Sequence, residues 1–120
     1  MRRLSQLLLV GAGGALGTIT RWLLAQTLSA EGFPWPTFAA NISGCALLGV
    51  LAASVRPERL TWLLSAGFCG GLTTMSAFAV ETVDLWNTDF STSVVYLVAS
   101  LAAGLTAFAG ARAVSRGGPA

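Results

Sequence analysis

The chain has no histidine and no lysine, and only 10% of its 120 residues are charged. Soluble domains carry about a quarter charged residues, because their surface must face water. Without His or Lys the commonest general base and the imidazole metal ligand are both missing. No paired carboxylates, nucleophile–base set or phosphate loop replaces them, so an enzyme is excluded. Cysteine is scarce as well: Cys45 and Cys69 stand singly in apolar stretches, with no CxxC spacing. They read as small hydrophobes packed between helices.

What is present is apolar sequence, 54% of the chain, in four runs. Residues 4–20, 32–55, 60–80 and 90–111 contain no Asp, Glu, Lys or Arg. A membrane-spanning helix needs about 20 apolar residues. The pattern predicts an all-α membrane protein with four transmembrane helices, at about 4–24, 37–55, 60–83 and 91–113, in one domain covering 1–120. Pro34 and Pro36 are assigned to a turn leading into the second helix, and Glu81, Asp84 and Asp89 surround the connection after the third. The N-terminus also fits a signal peptide in outline, with Arg2 and Arg3 before an apolar core. Cleavage near Ala15 would strand Arg21 at a new N-terminus, which favours a retained helix.

Orientation follows from arginine. In a four-span chain Arg2, Arg3, Arg56, Arg59, Arg112 and Arg116 lie on one side and Arg21 toward the other. For a multi-pass chain fixed in one orientation, the positive-inside rule places both termini in the cytoplasm. Arg21 is expected as an interfacial anchor, its long side chain reaching for the headgroups.

Four helices form no pore by themselves, so an oligomer is expected. Glycines such as Gly13 and Gly17, at GxxxG spacing, mark where backbones approach in lipid. Polar groups at membrane depth are costly and therefore informative. The second helix holds Asn41. In the third, adjacent Gly70 and Gly71 are followed by Thr73, Thr74 and Ser76, which reads as a helix interrupted near the glycines. Carbonyls freed there need a partner, either a cation or a neighbouring helix. Tyr96 and Ser100 lie one turn apart on the fourth helix. Each group alone is explained by helix packing; together they are donors and aromatic edges, which suits the path of a small anion.

These stretches carry a resemblance. Gly13–Gly17 with Arg21-Trp22, residues 36–44 around Asn41, and the GGLTT run 70–74 ending at Phe78 and Glu81 are similar to the Fluc/CrcB fluoride channels over essentially the whole chain. The resemblance implies passive fluoride efflux across a bacterial plasma (inner) membrane through an antiparallel dimer, the chain pairing with itself or with a homologous subunit. It implies a structural Na+ at the interface, held by backbone carbonyls of Gly70 and Thr73. It also implies a fluoride pore at Asn41, Met75, Ser76, Phe78, Tyr96 and Ser100. The partners are then fluoride, the lipid bilayer and the second subunit, with no nucleic acid.

The match departs from the family run in two places. Met75 stands where the family has its first pore phenylalanine, and Ala77 where it has a hydroxyl. With the one-sided arginines, this leaves open a half-active or non-conducting subunit of a heterodimeric channel. A small multidrug-type transporter is the remote alternative. It requires a Glu in the first helix, which this chain lacks.

Overall fold

The computed structural model describes residues 2–54 and 56–117. Among the described residues, four helical spans are long and apolar enough to cross a membrane: Arg2–Thr27, Trp35–Ala53, Glu58–Thr88 and Phe90–Ser115. At 1.5 Å per residue, even the 19-residue second span reaches about 28 Å, close to the hydrocarbon thickness of a bilayer. Large apolar side chains such as Leu7, Leu16, Trp22, Val98 and Leu105 point outward. Lipid replaces water around them, so outward apolar residues are the expected state here.

The second helix begins at Trp35, two residues before the expected Thr37. Pro36 falls in its first turn, where the missing N–H costs nothing because no intrahelical acceptor is available. It ends at Ala53, with Ser54 extended; the expected end at Val55 lies outside the described residues. The fourth helix is capped by Asp89, whose carboxylate accepts from Thr92 N (3.2 Å) and Thr92 Oγ1 (2.7 Å).

The spans pair as first with third and second with fourth, and the late part of the third also meets the fourth. The first pair is a seam of backbone against backbone. A Cβ placed on Gly13 or Gly17 would collide with carbonyl oxygens of Leu63 and Phe68, and one on Gly71 with the Gly14 carbonyl. Between Trp62 and Cys69 the third span is a π-helix, a wider coil that turns Gly67 onto the same seam.

The third span is interrupted, and the break falls just beyond the glycines. Gly70–Leu72 is still helical; Thr73 (φ −81°, ψ 154°) and Thr74 (φ −147°, ψ 120°) are extended, and the helix resumes over Met75–Thr88. The glycines themselves play different parts. Gly71 lets the first span approach, while Gly70 is exposed, with no neighbour within 4 Å of where a Cβ would stand.

Candidate functional site

Two consecutive extended residues leave backbone groups without their helical partners, so each must be met from elsewhere. Thr73 N and Thr73 Oγ1 both donate to the Cys69 carbonyl (3.0 and 2.9 Å). Thr74 is held by Asn41 of the second span through two bonds. Thr74 N donates to Asn41 Oδ1 at 2.7 Å, and Asn41 Nδ2 donates to the Thr74 carbonyl at 3.1 Å. A primary amide is the side chain that can satisfy both halves of one residue's backbone at once. Thr74 then caps the resumed helix, its hydroxyl accepting from Ala77 N at 3.2 Å.

The Gly71 carbonyl is met by Arg21, whose Nε donates to it at 3.2 Å. Arg21, expected at the interface, is half-buried and anchors the first span to the third. Among the described residues, neither the Gly70 nor the Thr73 carbonyl receives a hydrogen bond. These are the two carbonyls that the resemblance assigns to sodium.

The break opens onto a groove of about 410 Å³ between the second, third and fourth spans. Asn41, Gly70, Thr73, Met75, Phe78 and Ser100 line it. Four of the six expected pore residues therefore meet on one surface. The other two flank it. Tyr96 is fully buried, with its ring 5.1 Å from that of Phe78. Ser76 is exposed, its hydroxyl 3.2 Å from that of Thr74. Met75 is 75% exposed in the single chain, which places it at the open rim.

Two hydroxyls on the fourth span stand out. Tyr96 OH and Ser100 Oγ are buried and have no hydrogen-bond partner among the described residues. Thr37 lies near the tyrosine hydroxyl but outside bonding geometry, and its own hydroxyl proton goes to Glu81. A buried unpaired polar atom costs about 1–3 kcal/mol, so a pair of them one turn apart requires a reason. By contrast Ser93, one turn earlier, is satisfied: its hydroxyl donates to the Thr82 carbonyl at 2.8 Å.

Sequence reasoning misses Thr37 and Glu81 as a unit. Glu81, near the end of the expected 60–83 span, lies inside the Met75–Thr88 helix, and its Oε1 accepts from Thr37 Oγ1 at 2.6 Å. The available signal is its spacing, three residues after Phe78 and hence on the same helix face.

The family description "CrcB-like protein, Camphor Resistance (CrcB)" matches residues 8–111. This chain belongs to the CrcB family. Curated relatives agree. It is 51% identical over 102 residues to "Fluoride-specific ion channel FluC 2" of Rhodococcus jostii, covering 83% of this chain and 90% of that one. It is 45% identical over 97 residues to "Fluoride-specific ion channel FluC 2" of Bacillus licheniformis, covering 78% of this chain and 74% of the relative. With "Fluoride-specific ion channel FluC" of Bordetella bronchiseptica it shares 42% over 104 residues, 82% of this chain and 81% of the relative. In this CrcB chain the matched region takes in the glycine seam, the Asn41 clamp, the break and both unpaired hydroxyls.

Proposed function

We propose that this chain is a subunit of a fluoride-specific channel giving passive fluoride efflux across the cell membrane. The observation that carries the reading is the pair of unpartnered hydroxyls, Tyr96 and Ser100, buried beside the Asn41-clamped break. Fluoride is small and holds its water tightly, so a path for it must offer close donors in exchange. Hydroxyls with no protein acceptor are free to donate. The positive edge of a ring supplies the same attraction, and Phe78 stands at the groove with Tyr96 behind it. No step in such a path requires chemistry; the negative interior potential drives the anion outward.

The groove is open on one side in a single chain, in keeping with a dimer whose second subunit, inserted the other way, closes it. The Gly70 and Thr73 carbonyls fit a sodium ion, since they are oxygen donors left without hydrogen bonds. Such an ion supplies a fixed positive charge near the anion path. Its ligands would be these two carbonyls and their counterparts in the second subunit.

The test is fluoride efflux from liposomes containing this chain alone, followed with a fluoride electrode. Fast efflux that discriminates against chloride is expected. Efflux no faster than from empty liposomes would overturn conduction by this chain alone, and restoration by an added homologous subunit would identify the heterodimer instead.

A further inference from the structure

A second groove, of about 670 Å³, lies far from the break, where the start of the first span meets the start of the third. Arg2 and Arg59 line it from the two helices. Leu4 and Leu8 of the first span form its apolar wall. Trp62 stands beside them, an aromatic residue of the type that settles at headgroup level.

The groove contains one acid, Glu58. Its Oε1 accepts from Trp62 Nε1 at 3.2 Å and from Gln6 Nε2 at 3.4 Å. Both donors are neutral, and no ion pair engages Arg2 or Arg59 among the described residues. With two arginines and one carboxylate the groove carries a net charge of +1. Its charged groups stand at the end of the spans, above an apolar wall that runs toward the membrane interior.

We infer that this groove is a binding site for an anionic phospholipid, with the phosphate at Arg2 and Arg59 and an acyl chain against Leu4 and Leu8. The complementarity has two parts. Guanidinium groups match phosphate oxygens through paired N–H donors, and basic pockets between spans on the cytoplasmic side suit anionic headgroups. It also falls at the arginine-rich end of the spans. The inference does not depend on conduction.

The experiment is native mass spectrometry of the purified full chain with equal amounts of phosphatidylglycerol and phosphatidylcholine. Phosphatidylglycerol adducts are expected to dominate. Removing charge in R2Q/R59Q should weaken phosphatidylglycerol binding about fivefold for each arginine lost. R112Q/R116Q removes the same charge outside the groove and should leave binding near wild type, while R2K/R59K should retain part of the preference. Should R2Q/R59Q fail to purify, R59Q alone is compared with R112Q in the same way. Equal binding of the two lipids, or equal losses in the two glutamine pairs, would overturn the site. So would a groove found covered by a second copy of the chain, read as a disulfide cross-link between copies of the Trp62→Cys variant.

Discussion

Along the seam between the first and third spans, glycines bring backbone onto backbone and almost nothing polar is left over. Along the groove between the second, third and fourth spans, a helix is broken, an amide is engaged in holding the break, and two buried hydroxyls remain without partners. Both regions are rich in the small and polar residues that mark helix contacts in membranes. The difference lies in what remains after packing is satisfied. At the seam donors and acceptors are matched, with Arg21 completing the set at Gly71. At the groove they are not, and the proposed anion would match them.

The largest effect is expected at the seam. Gly17→Ala and Gly71→Ala each drive a Cβ into opposing backbone, which cannot yield as a side chain can. Overpacking costs about 1–3 kcal/mol, and these should lie at the upper end. Thermal unfolding in detergent would show it. Gly11→Ala, with no neighbour within 4 Å, should be neutral or slightly stabilising on the same measure. Equal losses at Gly11 and Gly17 would remove the distinction between seam and surface.

Next comes the clamp. Asn41→Leu leaves Thr74 N and the Thr74 carbonyl unsatisfied at the break. The expected cost is about 1–3 kcal/mol, together with loss of fluoride efflux. A variant of undiminished stability would show that the break holds itself.

At the unpaired hydroxyls the sign reverses. Tyr96→Phe and Ser100→Ala remove atoms that make no bond, so stability should hold or rise by up to about 1 kcal/mol. Ser93→Ala, which loses a made bond to Thr82, should instead destabilise. Loss of stability in Tyr96→Phe comparable to that in Ser93→Ala would mean that the tyrosine hydroxyl has a protein partner after all, with Thr37 the nearest candidate.

The smallest effect is at the edge of both regions. Asp89 caps the fourth span, and its bonds to Thr92 hold its carboxyl below the usual aspartate value of 3.8. A lowered folded pKa means that the cap stabilises above the unfolded value and is lost as pH falls through the folded one. Asp89→Ala should therefore lower the melting temperature slightly at neutral pH, with the gap closing below pH 3.8.

The spans were legible because charge is sparse between them: each of four uncharged runs lies largely within a helical span, although the first and third spans run past Arg21 and Glu81. The interruption was legible as a cluster of Gly and Thr, but its position was not. Adjacent glycines suggest loosened backbone, yet Gly71 is needed for close approach and the chain leaves the helix at Thr73. Asn41 was visible as a polar group at depth; that it commits one donor and one acceptor to Thr74 depends on a neighbour 33 residues away. The roles of Arg21 and Glu81 were obscured in the same way. A charge near the end of an apolar run reads as interfacial, whereas each of these finds an internal partner across a helix contact.

On the proposed reading, the unpaired hydroxyls beside the break serve an anion and not the fold. Fluoride efflux from liposomes, measured side by side for the wild type, Ser100→Ala and Tyr96→Phe at matched folded protein, tests this most directly. Rapid efflux from the wild type and markedly slower efflux from both variants, with melting temperatures preserved, is the expected result. Variants that match the wild type in efflux as well as stability would contradict it.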